Sequence, residues 1–194
     1  MKAVFYLGIS ILTICVSFVV MAPASLAYRL VEKELSHSFP NLLIQDINGS
    51  IWHGSAAVQL SPYPLLHSEW RIAPLTLLRG KTGGQLNISA TGLDLALTGG
   101  VTQTAGILQS ADAVVSGDFI NLFTLDYGLN LSGEFDLDNV TATFEDKWFT
   151  ALEGSMSWTG GIIHIETPQQ IHTVKLPKVH GNLSLVLENV TLAV

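Results

Sequence analysis

Cysteine is all but absent. The one thiol, Cys15, lies in an apolar N-terminal run, which excludes a disulfide scaffold and a cysteine-based zinc site. A remainder free of cysteine suits an oxidising compartment. Charge is scarce as well, at 13% of 194 residues, and 9 basic against 16 acidic side chains leave a net charge of −7. Binding to a phosphate backbone needs a basic surface, so no nucleic acid is expected as a partner. The Glu, Lys and Ala that dominate a helical bundle do not dominate here. In their place stand 17 Gly, many Thr, Ser and Asn, and a hydrophobic content of 48%, the composition of a β-protein.

Catalytic signatures are lacking too. No Gly-x-Ser-x-Gly elbow, phosphate-binding Gly-x-x-x-x-Gly-Lys-Ser/Thr loop, Gly-x-Gly-x-x-Gly turn or His-Glu-x-x-His pair occurs. His164, His172 and His180 recur every eight residues. Turns of variable length make that spacing uninformative in a β-protein, and they read as surface histidines. Asp136 and Asp138 share a strand face, as carboxylates on the wet side of a half-buried sheet do, and Asp94 has no such partner. Asn87, Asn130, Asn139, Asn182 and Asn189 each begin an Asn-x-Ser/Thr triplet, which strands alternating Asn with Ser or Thr produce without glycosylation. No enzyme, metal site or cofactor is expected.

What is present begins with the membrane. Val4 to Ala22 is apolar or small throughout, and no charge falls between Lys2 and Arg29. About 19 helical residues roughly span a bilayer core. The positive-inside tendency puts Met1 in the cytoplasm and the bulk beyond the inner membrane. Ser25-Leu26-Ala27 also fits a signal-peptide cleavage pattern. The apolar run is longer than a typical signal core, however, and Leu26, Leu30, Val31 and Leu35 continue it at helical spacing. Residues 1–27 therefore read as an N-terminal transmembrane anchor, or an uncleaved signal-like segment. Residues 28–40 read as a short helical connector, Tyr28 to Phe39, ended by Pro40. Residues 41–194 read as a periplasmic β-domain, and the length suffices for one core.

Within that domain Leu42 to Ile47 is the first strand. Gly49 and Gly54 can take positive φ, which sets Trp52 at a tight corner. Val58 and Leu60 then share a face against Gln59, Trp70 pairs with Ile72, and Pro74 ends the strand. Leu86, Ile88 and Ala90, then Leu93, Leu95 and Leu97 around Gly92, mark the next hairpin. The pattern blurs from Gly99 to Leu129, where Ala113 to Ser116 reads as a strand and Phe119 to Phe123 as a turn or short helix. Leu131, Gly133, Phe135 and Leu137 resume it, Asp138-Asn139 looks like a turn, and Val140, Ala142 and Phe144 follow. A late strand carries Leu183, Leu185 and Leu187. Gly154-Ser155-Met156-Ser157-Trp158 echoes Gly49-Ser50-Ile51-Trp52 with one residue inserted, as a bulge would add. The echo suggests two similar β-layers in one sheet. The expected fold is mainly β, a single N-terminal transmembrane helix followed by an elongated, curved antiparallel sheet.

The anchor ending in Ala22-Pro23-Ala24, the segment Ile47 to Ala56, the segment Trp70 to Gly80 and the segment Leu152 to Gly161 together resemble the type II secretion system protein N family, also called general secretion pathway protein N. The family usually continues through further strands past the point where Val194 stands. The resemblance implies a bitopic inner-membrane protein with a periplasmic β-domain, no catalytic residues, and other secretion-system components as partners. Gly49, Trp52, Gly54, Trp70, Pro74, Gly154 and Trp158 are its structural motif. Two functions follow as expectations. One is a scaffold subunit whose exposed sheet edges pair with partner strands. The other is a lipid-handling protein whose Leu-rich faces form a groove for acyl chains.

Overall fold

The computed structural model describes residues 2–61, 63–77, 80–102, 105–145, 148–167, 170–186 and 189–193. Helix α1 (Lys2–Val20) takes up the apolar run. Thr13 Oγ1 donates to the Ile9 carbonyl at 2.9 Å, which satisfies the hydroxyl inside the helix. Among the described residues no helix is long and apolar enough to cross a membrane, so the expected transmembrane helix is not shown. Helix α2 (Ala24–Ser38) starts directly after Pro23, earlier than the connector read from sequence. It stops before Phe39, which Pro40 holds in a non-helical conformation at φ −135°.

The chain then runs β1 (Leu42–Gly49), β2 (His53–Leu60), β3 (Leu66–Ala73), the short turn α3 (Pro74–Leu77), β4 (Thr82–Ala90), β5 (Leu93–Val101) and β6 (Ala105–Ser116). Helix α4 (Gly117–Thr124), one 3-10 turn and β7 (Leu129–Leu131) follow, then β8 (Glu134–Glu145), β9 (Trp148–Trp158), β10 (Gly161–Glu166), β11 (Ile171–Leu176), β12 (Val179–Val186) and β13 (Asn189–Ala193). Ten strands form one antiparallel sheet in the order β1-β2-β3-β4-β5-β6-β8-β9-β12-β13, and β11-β10-β7 form a second. The large sheet is a meander with two excursions, after β6 and after β9. Those two excursions meet as the small sheet.

Register lines the apolar residues up in rows. One row runs Ala90, Leu93, Val115, Phe135, Trp158, and the next Ser68, Ile88, Leu95, Ala113, Leu137, Met156. Directly opposed residues share a face, so the alternation seen at 86–90 and 93–97 becomes one continuous apolar surface. Helix α2 packs along its β1 side, and α4 sits at its far lip, where Phe123 stacks on Tyr63 at 4.5 Å. Between them the surface is only half-covered. Burial falls on small residues such as Ala56, Ala57, Ala113 and Ala142, and no large side chain among the described residues is fully enclosed.

Three local differences from the sequence reading have physical causes. Asp138-Asn139 is no turn: β8 continues through it with a register shift between Asp138 and Thr141. Asn139 absorbs the extra residue at φ 50°, a conformation Asn tolerates. The blurred stretch after Gly99 hides the twelve-residue β6, because a bulge at Thr98/Gly99 shifts its alternation by one. The late strand β12 opens at Val179, and Leu187 lies outside the described residues.

Candidate functional site

The first corner is built on Ser50. Gly49 turns the chain at φ 84°, and Ser50 N donates to the His53 carbonyl at 2.9 Å. The Ser50 hydroxyl accepts from the backbone N–H of Trp52 (3.3 Å) and His53 (3.2 Å), a serine turn. Trp52 is half-buried at this turn, and its carbonyl accepts from Ile72 N at 2.6 Å. Trp70 reaches across from β3, its indole Nε1 donating to the Ser50 carbonyl at 3.2 Å. Gly54 does not take positive φ. Its role is space: a Cβ there would lie 2.6 Å from Trp70 Cζ2. Pro74 opens α3 directly after β3. The same corner ties down the helices, through an isolated bridge from Ser50 to Pro23 and an Ile51 N–H bond to the Ala22 carbonyl at 3.1 Å.

The second corner repeats the chemistry at Ser132. Gly133 turns at φ 96°, and Trp158 Nε1 donates to the Ser132 carbonyl at 3.1 Å. Trp158 is 7% exposed and stacks on Phe135 at 5.5 Å. The counterpart of Trp158 is therefore Trp70, not Trp52. Gly154 is likewise not at a corner: it lies within β9, opposite the β8 bulge, where its Cβ would be 2.8 Å from Val140 Cγ2. Both echoing segments belong to the one ten-stranded sheet.

Ser132 also joins the two sheets. Its N–H donates to the Ile162 carbonyl at 3.0 Å, and its hydroxyl accepts from Ile162 N at 2.7 Å. Gly117 N donates to the Gly133 carbonyl at 2.7 Å. Asn121 of α4, 6% exposed, binds both backbone groups of Leu131, donating to the carbonyl at 2.9 Å and accepting from N–H at 2.7 Å. Sequence reasoning missed Asn121 and Ser132, and read Gly133 as part of a strand, whereas it turns the chain between β7 and β8. The available signal was Ser-Gly at 132–133, the reverse of Gly-Ser at 49–50.

The structure does not bring together the three histidines spaced by eight. His164 and His172 point to opposite faces of the small sheet, bonded to Thr173 (3.0 Å) and Gln170 (2.7 Å), while His180 lies in the large sheet. Among the described residues no group of three or more His, Cys, Asp or Glu could hold a metal. Asp136 accepts from the Ser157 hydroxyl at 3.3 Å. Asp112 has a perturbed carboxylate. The Asn139 backbone N–H, then the Ser110 hydroxyl, each at 2.8 Å, hold it below the usual aspartate range against a small opposing effect of burial.

Two concavities flank Trp70 on the apolar surface. One of about 350 Å³ lies beneath α2, among Ala27, Tyr28, Ile47 and Ile51. The other, about 460 Å³, is lined by Ile72, Leu86, Leu97, Leu108 and Phe144. They are apolar and open, suited to contact rather than to bond-making.

No curated protein sequence and no solved structure matches the chain. The family described as type II secretion system (T2SS), protein N, matches residues 40–194, a span that takes in both tryptophan corners and both sheets. The chain belongs to the type II secretion system protein N family.

Proposed function

We propose that this type II secretion component is a non-catalytic scaffold, anchored in the inner membrane, that supports export of folded proteins across the outer membrane. Residues 1–27 are the single-pass anchor with the N-terminus cytoplasmic, 28–40 the connector and 41–194 the periplasmic β-domain. The family match over the β-domain carries this reading. The anchor is supported by α1, whose Leu7, Ile11, Ile14 and Phe18 are all more than half exposed, an arrangement stable in lipid and unfavourable in water. Bulges in β1, β5/β6 and β8 support a curved sheet. The motif residues Trp70 and Trp158 act as pins that fix the corners. Deleting the chain should lower release of a type II cargo, and affinity purification from membranes should recover other secretion components. Normal export together with an empty pull-down would refute the scaffold.

A second reading, acyl-chain handling, is favoured by one observation: the half-covered apolar surface around the 460 Å³ concavity. Each buried CH₂ would contribute about 0.8 kcal/mol there. Mass spectrometry of organic extracts from the pure protein tests it, and lipid at trace levels only would exclude it.

A further inference from the structure

We propose that β11, the free edge of the small sheet, is where an acid-bearing extended segment of another secretion component adds as a fourth strand. The inference rests on the scaffold reading above. β11 pairs with β10 alone, through six residue pairs in unbroken register. Every residue from Ile171 to Leu176 is exposed. Two of the other edges, β1 and β7, are guarded in ways that prevent stray pairing, while β13 at the far edge of the large sheet pairs with β12 alone. β1 carries a bulge between Gln45 and Asn48, with Asp46 at φ 54°, and packs against α2. β7 has three residues and packs against α4. Among the described residues β11 has no bulge, no proline and no covering helix, and its edge charge is the single Lys175.

The edge is also preformed. Thr167 N donates to the Gln170 carbonyl at 3.0 Å, and Gln170 N to the Thr167 hydroxyl at 3.3 Å, which ties Gln170 at the entry of the strand to Thr167. Pro177 ends the strand. An added strand would meet ordered backbone donors and acceptors and lose little entropy on docking. Side chains specify the partner. Val174 continues the row Leu131–Ile163, so an apolar residue fits opposite it. Lys175 lies on the other face, and a carboxylate suits that position. The charge pattern is local: in a chain of net charge −7, no acidic residue occurs between Glu166 and Glu188, whereas Lys175 and Lys178 do. A second copy of β11 offers no carboxylate to set opposite Lys175, since full antiparallel pairing would place His172 there, so the occupant is a different chain.

The test uses the full-length protein in its native membrane with a photo-crosslinking residue at Thr173 and, as a control, at Leu43 on β1. Crosslinking from position 173 to another secretion component is expected, with none from 43. Lys175→Glu should cut the crosslink and cargo release about tenfold, as loss of an interfacial charge pair does. Lys175→Gln should give a smaller loss, with unchanged melting temperature in both variants. If Lys175→Glu and Val174→Pro crosslink and export like wild type, the edge assignment is wrong, while loss of export on deleting the whole chain would still uphold the scaffold. A crosslink to a second copy would also overturn it, in favour of self-association.

Discussion

Trp70 and Trp158 make the same bond in two different settings. Each indole donates to a serine carbonyl beside a left-handed glycine, at 3.2 and 3.1 Å. Trp158 is almost enclosed, stacked on Phe135, and closes the junction between the sheets. Trp70 is half-exposed between two open concavities and closes the junction with the helices. The hydrogen bond is common to both, so the difference between them measures what burial adds. Trp158→Ala should destabilise the β-domain by about 3–5 kcal/mol, as for a buried aromatic, and Trp70→Ala by about half as much. Denaturant melts of the two variants check this. Equal losses would mean that the bond, not the packing, holds each corner.

The glycines sharpen the same comparison. Gly133→Ala combines strain at φ 96° with a Cβ 2.8 Å from Trp158 Nε1, and should cost about 2–3 kcal/mol. Gly54→Ala meets only crowding, from Trp70 and from the Asn48 carbonyl, and should cost about 1–2 kcal/mol. Trp70→Phe withdraws the indole atoms, so the pair Gly54→Ala and Trp70→Phe should be less harmful together than their sum. Additive losses would show that the carbonyl contact alone excludes the side chain. Asn121→Ala leaves both backbone groups of Leu131 without side-chain partners and should cost about 1–3 kcal/mol. Melting temperature reads it directly.

These corners show how far the sequence could be read. Strands with clean alternation, such as Leu86 to Ala90 and Leu93 to Leu97, were legible because a half-buried sheet face imposes a period of two. The strands that hid were bulged: β6 and β8 each absorb an extra residue, which shifts alternation and imitates a turn. The echo around Trp158 was real at the level of chemistry but attached to the wrong partner. Gly-Ser-x-Trp similarity is local, whereas the serine carbonyl that each indole finds is set by register across strands. Asn121 was invisible for a related reason, since its partner at Leu131 depends on how α4 folds back on β7.

The smallest expected effect separates the two bulges that use a non-glycine residue at positive φ. At β1 the bulge is held by an uncharged bond, Asn48 Nδ2 donating to the Asp46 carbonyl at 2.9 Å. At β8 it is held from the neighbouring strand, by the Asp112 carboxylate accepting from Asn139 N. That bond favours the charged carboxylate, which is why Asp112 titrates below its ordinary value. A lowered folded-state value means the unfolded chain binds the proton more readily. The stabilisation is thus fully present above the ordinary aspartate range, near pH 4, and is lost as pH falls through the lowered value. Asp112 is exposed, so solvent screening keeps the effect small. The melting-temperature gap between wild type and Asp112→Asn should be widest near neutral pH and close on acidification. Asn48→Ala should leave a gap that pH does not change, and a closing gap there would mean that charge reaches the β1 bulge as well.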